Sequence, residues 1–532
     1  MNAAKPYRLS VVMIVKNEAH NLALSLPSVA EFADEIIILD SGSTDNSRDI
    51  AESFGAKWFV NTDWQGFGKQ RQLAQSHATG EWILALDADE VVTPTLKNSI
   101  LQAIKNPPTN TVYGIKRLDF VFGHQIDNAL WGVKAHWRLY PKHFGYDNNL
   151  VHESVVLTGA NTAKLDGFLE HHTAPTPKFW LEKRLDYAKA WADDRHTQGK
   201  TGKFYKVVLN PLWAFVKQYV IDGRFLQGRY GLIYSLMFSQ YTFNKYACLY
   251  DLSHNQAEQA FLNSVAMTKN LQPIDLSQKK STLSLVMICK NESKHLKACL
   301  DTVHDIVDEI IILDSGSTDN TRQIAESFGA KWYVNTDWQG FGKQRQLAQS
   351  HATGDYVLVL DADERLDQTL RESIAKVLSL PVQTDKVFSV ARVNTFCGVE
   401  VQPRRWYTDK LARLYARKFE YSDLNVHESL DQQGVPSQVL DGYLPHITND
   451  DLHHFLVKNI RYSHDWAQEK HAKGKQVSLF GIMGRSLVSF LREYVLRADF
   501  SGGAYGYILA AASMGYTLDK YIMLWQMNQE KS

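Results

Sequence analysis

Cysteine is scarce in this sequence, and its pattern excludes several classes of protein. The 532 residues include only Cys248, Cys289, Cys299 and Cys397, which form no C-x-x-C pair and no regular framework. Such a pattern argues against a structural zinc site or a disulfide scaffold and is typical of a reducing compartment. We therefore expect a cytoplasmic location.

Long apolar runs and an excess of charge are also missing. No uninterrupted apolar run is long enough to cross a bilayer, and no secretory signal is recognised at the N-terminus. Leu9–Val15 is apolar, but Lys16-Asn17-Glu18 follows at once, so this run is typical of a buried strand. The formal net charge is zero, which gives no support for nucleic acid as a partner.

A long internal repeat is the most informative feature present. Residues 34–80 and 308–354 are identical at 44 of 47 positions. The differing pairs are Ser47/Thr321, Asp49/Gln323 and Phe59/Tyr333. Further along, the copies correspond at an offset of 275 residues and are much less similar. Recombination and a shared ligand bound by the first half both explain this unevenness, and one sequence does not separate them.

The repeat unit is a whole domain of about 250 residues, too long for a solenoid element. We predict a first domain at 1–251, a polar linker at 252–281 and a second domain at 282–532. Each domain is expected to have a catalytic part followed by a helical part: 7–175 and 176–251 in the first, 282–450 and 451–532 in the second.

Short apolar runs alternate with helical patterns in each copy. In the first copy the predicted strands are Leu9–Val15, Glu35–Leu39, Lys57–Val60 and Trp82–Leu86, and the predicted helices are 18–30, 47–54 and 68–77. This order predicts an α/β fold with a mainly parallel, Rossmann-like sheet. Ligands of such sheets bind beyond the carboxyl ends of the strands. Asp40, Asp87 and Asp89 are expected there.

Two carboxylates follow the fourth predicted strand of each copy, in Asp87-Ala88-Asp89 and Asp361-Ala362-Asp363. Side chains spaced by two at a strand end point the same way. Placing two carboxylates together is unfavourable unless a cation joins them. Hard divalent ions prefer such oxygen ligands and leave positions for phosphate oxygens. A site for a metal and a diphosphate is favoured over a solvated acidic turn because the pattern recurs in both copies.

The turn after the second strand, Asp40-Ser41-Gly42-Ser43-Thr44-Asp45, recurs from Asp314. An acidic residue at a strand end can bind a nucleoside hydroxyl, as in dinucleotide-binding folds. The same residues would also serve as a plain helix N-terminus, and Asp45 is interpreted as structural.

A third segment places two glycines and basic residues before a helix. It is Gly66-Phe67-Gly68 followed by Lys69 and Arg71, with Lys343 and Arg345 in the second copy. These residues suit an approach to an anion or a base edge. A solvated helix start is an equally good interpretation.

These motifs resemble a known family. Residues 10–18, 38–45 and 86–90 are similar in type, order and spacing to the family 2 inverting glycosyltransferases of GT-A fold. A closer resemblance is to the bacterial lipopolysaccharide core β-glucosyltransferases. They share the Lys-Gln-Arg-Gln-Leu-Ala-type segment, the Val-His-Glu segment and basic, aromatic C-terminal helices. The resemblance covers nearly the whole chain, twice.

The resemblance implies roles in binding a nucleotide-sugar, with UDP as the expected nucleotide and Mn²⁺ or Mg²⁺ as the cofactor. It implies nucleoside contacts for Asp40 and Asp314, ribose or metal contacts for Asp87 and Asp361, metal ligation by Asp89 and Asp363, and base or phosphate contacts for Arg71 and Arg345. Lys69 and Lys343 belong to the same nucleotide-binding set.

An inverting transfer also needs a base that deprotonates the acceptor hydroxyl. The resemblance implies Glu153 and Glu428 for this role, with His152 and His427 tuning the carboxylate or reaching the metal. Many family 2 enzymes carry a Glu-Asp pair instead, so the chain departs from the family pattern here. A surface His-Glu pair is the alternative interpretation.

The helical parts are basic and rich in aromatic residues. Residues 178–245 contain twelve Lys or Arg and five Asp or Glu, and residues 455–520 contain nine and five. Basic, aromatic amphipathic helices suit contact with anionic lipid near a lipid-linked acceptor. Packing on the catalytic part or on the other copy is the alternative.

The sequence therefore predicts two tandem glycosyltransferase domains that transfer sugar to a saccharide or glycolipid acceptor, such as lipopolysaccharide core. One alternative makes one copy a non-catalytic module that binds the acceptor. The second copy keeps Asp314, Asp361, Asp363 and Glu428, so no lost motif supports that alternative. A nucleotidyltransferase is disfavoured because Lys16-Asn17-Glu18 lacks a Gly-rich, basic signature.

Overall fold

The structure is a computed structural model. It describes residues 8–105, 108, 110–126, 135–149, 153–401, 409–422, 429–432, 434–448 and 451–529. Each copy of the repeat forms its own sheet, and helices from both copies pack together beyond the two sheets.

The first copy alternates strands and helices up to residue 103 and is then mostly strand up to residue 174. Its elements are β1 (Leu9–Val15), α1 (Ala19–Ser25), α2 (Pro27–Ala30), β2 (Glu35–Asp40), α3 (Ser47–Ser53), β3 (Lys57–Val60), α4 (Phe67–Ser76), β4 (Trp82–Ala85), β5 (Glu90–Val92), α5 (Pro94–Ala103), β6 (Thr111–Val121), β7 (His124–Gln125), β8 (Ala135–Pro141) and β9 (Asn161–Ala174). The predicted helix over 18–30 is two helices, because Pro27 starts a new helix at its first position.

The sheet has a parallel part and a mixed part. Its order is β3-β2-β1-β4-β8-β6-β9-β5, with β7 paired to β6. Strands β3, β2, β1 and β4 are parallel, and β8 pairs antiparallel with β4. Strand β1 is almost wholly buried, as expected for an apolar run covered on both faces of a parallel sheet. The α/β fold with Rossmann-like sheets is therefore confirmed.

Helices complete the first copy: α6 (Pro177–Thr197), α7 (Phe204–Val216), α8 (Gly228–His254) and α9 (Gln256–Lys269). A π-helical turn at Lys217–Ile221 and a 3₁₀ turn at Arg224–Gln227 connect α7 to α8. Helix α9 lies inside the predicted polar linker, which is therefore not a plain loop.

The second copy repeats this arrangement. Its elements are β10 (Leu283–Cys289), α10 (Leu296–Leu300), β11 (Glu309–Asp314), α11 (Thr321–Ser327), β12 (Lys331–Val334), α12 (Phe341–Gln349), β13 (Tyr356–Val359), α13 (Gln368–Leu378), β14 (Val387–Phe396), β15 (Val399–Glu400), β16 (Asp409–Ala416), β17 (Ser437–Thr448), α14 (Leu452–Ala472), α15 (Leu479–Leu491) and α16 (Gly503–Gln529). The sheet order is β12-β11-β10-β13-β16-β14-β15, with β17 paired to β14.

Helices of the two copies share one apolar core. Trp180 and Tyr234 of the first copy belong to the same buried cluster as Leu456 and Trp525 of the second. The predicted helical parts therefore pack on each other, which was the alternative to membrane contact, while part of their surface stays exposed.

The contacts between α8 and α16 have approximate two-fold symmetry. Tyr230 stacks edge-on against Trp525 at 5.1 Å between ring centroids, and Tyr250 against Tyr505 at 5.7 Å. At an offset of 275, Tyr505 is the equivalent of Tyr230, and Trp525 is the equivalent of Tyr250. Equivalent positions thus meet reciprocally across an antiparallel helix pair, as in an isologous dimer interface.

Two further observations concern the cysteines and the length and polarity of the helices. All four cysteines are free and buried. Among the described residues, every helix is too short or too polar to span a membrane.

Candidate active site

The predicted motifs meet where the parallel strands end. The last residues of β1 and β2, Val15 and Asp40, are directly paired in register. Strand β4 lies on the other side of β1, so Asp87-Ala88-Asp89 emerges beside the ends of both strands. The same geometry recurs in the second copy, where Cys289 pairs with Asp314.

Asp87 lies in a buried cluster of charges. The Arg71 guanidinium donates to Asp87 Oδ1 and that of Arg138 to Asp87 Oδ2, both at 2.5 Å. Arg138 also donates to Glu90 Oε1 at 2.9 Å, and Glu90 Oε2 accepts from the Asp87 backbone N–H at 3.0 Å. The cluster fixes Asp87 in one orientation at the strand end.

Burial and charge act in opposite directions on this cluster. Burial would raise the pKa of Asp87, but Arg138 and Arg71 hold it well below its usual range. Burial raises the pKa of Glu90, and Arg138 opposes that rise. Asp87 is therefore a permanent anion whose negative charge is already compensated by arginines.

The second copy contains the same cluster. Arg345 and Arg413 donate to the two oxygens of Asp361 at 2.9 and 2.8 Å, and Arg413 donates to Glu364 at 2.5 Å. The repetition of all four side chains argues that the cluster belongs to the site in both copies.

Asp89 faces a histidine rather than an arginine. His171 Nε2 lies 3.2 Å from Asp89 Oδ2, and its Nδ1 lies 2.6 Å from Asp119 Oδ1. Burial alone would lower the pKa of His171, but hydrogen bonds with Asp119 and Asp89 raise it to about 9. In the second copy His446 Nε2 lies 3.2 Å from Asp363 Oδ2.

The Asp89–His171 pair is the arrangement that fits a divalent cation. A histidine that holds one ring nitrogen on a carboxylate presents the other to a metal in a fixed orientation. Among the described residues, no three His, Cys, Asp or Glu side chains are arranged to enclose a metal ion. Two protein ligands would leave other positions free for phosphate oxygens and water, which Mg²⁺ and Mn²⁺ prefer at phosphate-binding sites.

Glu153 lies at the same site, although it is 82 residues from Arg71 in the chain. Its Oε1 accepts from Arg71 Nε at 2.8 Å, so Arg71 bridges Glu153 and Asp87. The Glu153 side chain is 14% exposed. His152, His427 and Glu428 lie outside the described residues.

Asp40 stabilises the turn that follows it. Both its carboxylate oxygens accept from the Ser43 backbone N–H at 3.0 Å, and the Ser43 hydroxyl donates at 2.6 Å. Asp314 makes the same contacts with Ser317. In this structure these carboxylates thus hold the loop, and nucleoside binding by them stays a prediction.

The arginine and the lysine of the glycine-rich segment lie in different environments. Helix α4 begins after Gly66, whose φ of 103° favours glycine, and its buried face carries Arg71. Lys69 and Lys343 are exposed. Arg71 and Arg345 therefore belong to the carboxylate cluster, whereas Lys69 and Lys343 lie on the exposed sides of their helices.

A cavity of about 640 Å³ collects these residues in the second copy. Its lining includes Lys290, Glu292, Ser315, Trp338, Arg345, Asp361, Asp363 and His446. Burial and the neighbouring Asp363 raise the pKa of Glu292 to about 7. A cavity of this size, lined by both charged and aromatic side chains, is large enough for a nucleotide-linked sugar.

Several site residues were missed by the sequence reasoning. They are Glu292, Glu90 and Glu364, Arg138 and Arg413, and His171 and His446. The arginines and histidines recur at equivalent positions in the diverged half of each copy, and that recurrence is the signal that would have identified them.

Comparison with known proteins identifies the chain's relatives. The family model for Glycosyl transferase family 2 matches residues 10–173 and 284–424. An uncharacterized glycosyltransferase of Rickettsia prowazekii is 30% identical over 258 residues, which are 46% of this chain and 88% of that protein. The lipopolysaccharide core biosynthesis glycosyltransferase LpsC of Rhizobium meliloti is 28% identical over 48% of this chain and 95% of its own length.

Solved structures with a similar fold include a mannosyltransferase of Pyrobaculum calidifontis in complex with GDP-Man and Mn²⁺. It is 15% identical, with a TM-score of 0.27 over 50% of this chain and 83% of the mannosyltransferase. Glucosyl-3-phosphoglycerate synthase of Mycobacterium tuberculosis, with Mn²⁺ and UDP-glucose, is 20% identical, with a TM-score of 0.19 over 22% of this chain and 44% of the synthase.

Proposed function

Because the chain belongs to glycosyl transferase family 2, we propose that it is a tandem enzyme in which both copies transfer a hexose from a UDP-sugar, with inversion. The proposed acceptor is a saccharide of a lipid-linked glycan such as lipopolysaccharide core, in keeping with the name of its relative LpsC. The observation that carries the proposal is the repeated pairing of Asp89 with His171 and of Asp363 with His446, beside an arginine-bound aspartate.

The donor is proposed to bind across the ends of the parallel strands. Asp40 and Asp314 would accept from the nucleoside, and Asp87 and Asp361, held by arginines, would lie beside the ribose and diphosphate. The buried cluster orients these groups before the donor arrives, which lowers the entropic cost of reaching the reactive geometry.

Asp89 with His171, and Asp363 with His446, would hold Mn²⁺ or Mg²⁺. A divalent cation at that position supplies positive charge for the leaving diphosphate. His171 carries a proton below its pKa of about 9, so metal binding there would release it at neutral pH.

Glu153 is the proposed base. It would take the proton of the acceptor hydroxyl while that oxygen bonds to the anomeric carbon, and the bond from that carbon to the diphosphate breaks with its electron pair on the diphosphate. Arg71 orients Glu153 through the 2.8 Å contact and links it to the donor side through Asp87. Attack from the side opposite the diphosphate inverts the configuration.

The alternative is one active copy and one copy that only binds acceptor. The second copy keeps the buried charge cluster, the Asp363–His446 pair and the adjoining cavity. These features support two working copies.

The test uses the intact chain, Asp89→Ala, Asp363→Ala and the double variant. Each is assayed with Mn²⁺ and a panel of nucleotide-sugars, with and without a core oligosaccharide. The release of the nucleoside diphosphate is measured. We expect each single variant to retain part of the activity and the double variant to lose it. If one single variant abolishes all activity and the other changes nothing, one copy is non-catalytic.

Metal binding gives a readout that does not depend on turnover. Mn²⁺ titration followed by electron paramagnetic resonance should find two sites in the intact chain and one in Asp89→Ala. His171→Ala in an Asp363→Ala background should weaken Mn²⁺ binding by about 10- to 100-fold. Unchanged Mn²⁺ affinity would remove His171 from the proposed ligand set.

A further inference from the structure

The segment between α6 and α8 exposes an apolar stripe. We define outer segment one as residues 204–227, which contains α7 and the two turns after it. Leu212, Trp213, Val216 and Val220 recur at helical spacing and are between 41% and 60% exposed. The opposite side of the same helix is buried against α8, so this helix is apolar on both faces. Exposed contiguous apolar surface of this kind marks an interaction site.

The second copy repeats the stripe at equivalent positions. Outer segment two, residues 479–502, presents Leu487, Val488, Leu491 and Val495, which are between 46% and 63% exposed. At two of the four equivalent positions the residue type differs, as in Trp213 and Val488, yet all eight side chains are apolar. Apolar character has thus been kept in both copies where the fold itself leaves the side chains uncovered.

The two outer segments lie next to each other on the same side of the α8–α16 pair. The Tyr507 ring of α16 packs edge-on against the rings of Phe204 in segment one and Phe490 in segment two, with 5.5 and 5.8 Å between ring centroids. The approximate two-fold axis that relates the copies passes between α8 and α16. Because this axis relates two segments on the same side of the layer formed by α8 and α16, it is roughly perpendicular to that layer. The two stripes therefore form one composite face.

The charges around this face are basic. Lys203, Lys217 and Arg229 are exposed around segment one, and Arg485 and Arg492 along segment two. Glu493 of segment two is buried and contacts Arg492 and Arg497, Asp499 is buried, and Asp222 in segment one contacts Lys217 and Arg224. Basic residues still outnumber acidic ones over 203–229 and over 479–502, so the face combines exposed aliphatic and aromatic side chains with an excess of positive charge.

We propose that outer segments one and two together dock the protein on the surface of an anionic lipid bilayer, with their exposed apolar stripes inserted among the headgroups. This inference rests on the proposed function only in that a lipid-linked acceptor would then be presented to both copies. Interfacial helices bind by this combination of apolar area and attraction to anionic lipid.

Charge favours a bilayer over a second copy of the chain as the occupant. A second copy docking through the same face would bring two basic surfaces together, which is unfavourable. An anionic headgroup layer is complementary to those charges, and its hydrocarbon accepts the stripes without needing matched side chains.

The test is flotation of the full chain with vesicles of phosphatidylethanolamine and phosphatidylglycerol, compared with vesicles of phosphatidylcholine. The variants are Leu212→Glu with Trp213→Glu, Leu487→Glu with Val488→Glu, and all four together. We expect the intact chain to float with the anionic vesicles, each pair to weaken binding, and the four together to lower it roughly tenfold or more. Serine versions at the four positions guard against misfolding of the glutamate variants.

The matched controls are Leu262→Glu and Leu380→Glu, which alter leucines elsewhere that are 52% and 47% exposed, and these variants should bind vesicles like the intact chain. The proposal is overturned if the intact chain does not bind anionic vesicles or if the four substitutions leave binding unchanged. Sedimentation that finds a dimer of the chain, dispersed by the same substitutions, would also overturn it. Diphosphate release on a lipid-free core oligosaccharide is measured in parallel, so loss of vesicle binding with retained transfer separates this inference from the proposed function.

Discussion

Single residues behind the predicted carboxylates decide the geometry of the candidate active site. Arg138 is 6% exposed and contacts both Asp87 and Glu90, which emerge from the same strand end. Two carboxylates this close repel unless a cation lies between them. The arginine thus makes it possible to bury the acidic motif without a metal at Asp87.

Replacing Arg138 with methionine should therefore destabilise the first copy strongly. Methionine fills a similar volume but leaves Asp87 with Arg71, and Glu90 with only the longer 3.7 Å contact to Arg117. Removing one partner from a buried ion pair is typically unfavourable by about 3–5 kcal/mol. The measurement is the free energy of unfolding in urea, and Arg413→Met should behave alike in the second copy.

Arg117→Met is the matched control for that prediction. Arg117 also approaches Glu90, but at 3.7 Å, beyond hydrogen-bond distance, and its side chain is 24% exposed, so the pair is weaker. A loss of about 1 kcal/mol or less is expected. Equal losses for Arg117→Met and Arg138→Met would mean that burial of the cluster does not determine its contribution.

At the scale of elements, the acidic strand end is held by the packing of α5 on β9. Gly167 of β9 has a φ of 92°, and a Cβ there would lie 2.4 Å from the Leu96 backbone nitrogen in α5. Gly442 is equivalent, with 2.3 Å to the Leu370 nitrogen. Strand β9 also carries His171, so this close approach positions the histidine relative to Asp89.

Gly167→Ala should lower the stability of the first copy by about 2–5 kcal/mol. The left-handed conformation accounts for about 1–2 kcal/mol of that loss, and the clash with backbone atoms for the remainder. The loss is measured as a shift of the thermal or urea transition.

Gly159→Ala separates the two contributions. Gly159 has a φ of 76°, and a Cβ added there meets no atom within 4 Å. It should lose only the conformational part, about 1–2 kcal/mol. Similar losses for the two alanine variants would show that the α5–β9 approach is not tight.

At the scale of the whole molecule, helices of the two copies pack around one shared core. The core shared by α6, α8, α14 and α16 means that a half expressed alone would expose apolar surface now buried. Single substitutions in the intact chain are therefore a cleaner test of each copy's activity than separated halves.

The interface between the copies carries a buried carboxyl. Asp519 of α16 is 1% exposed and accepts from Gln240 Nε2 of α8 at 2.9 Å. Burial raises its pKa from 3.8 to about 7, and the hydrogen bond from Gln240 opposes that rise. The equivalent residue in the first copy is Asn244, which has no charge to bury.

Asp519→Asn should remove part of the pH dependence of stability. Because the folded state holds this proton more tightly than the unfolded chain, stability falls as pH rises from about 4 to about 7. A pKa rise from 3.8 to about 7 corresponds to about 4 kcal/mol lost above pH 7. The variant should therefore be more stable than the intact chain at pH 8, and the two should be similar at pH 4.

Thermal unfolding of both proteins at pH 4 and pH 8 checks this prediction, and Asn244→Asp provides the converse change. Asn244 lies at a buried interface position, so the introduced carboxyl should make stability fall more steeply with pH. Parallel pH profiles for the intact chain and Asp519→Asn would contradict the prediction.

The sequence by itself determined the duplication, the order of strands and helices in the first part of each copy, and the positions of Asp40, Asp87 and Asp89 at the strand ends. These follow from local patterns: buried β-branched runs, helix starts and the rule that parallel strands end at one edge. Arg71 and Glu153 were also singled out, although their contact 82 residues apart in the chain was not foreseen.

Only the tertiary structure decided which side chains face those carboxylates. His171 and Arg138 come from the mixed part of the sheet, whose pairing is set by long-range packing and leaves little local signal. The sequence also left open how the two copies are joined. An apolar face on α8 or α16 is compatible with packing inside its own copy, on the other copy or on lipid. Burial in three dimensions distinguishes these outcomes: it covers α8 and α16 and leaves the stripes of α7 and α15 exposed.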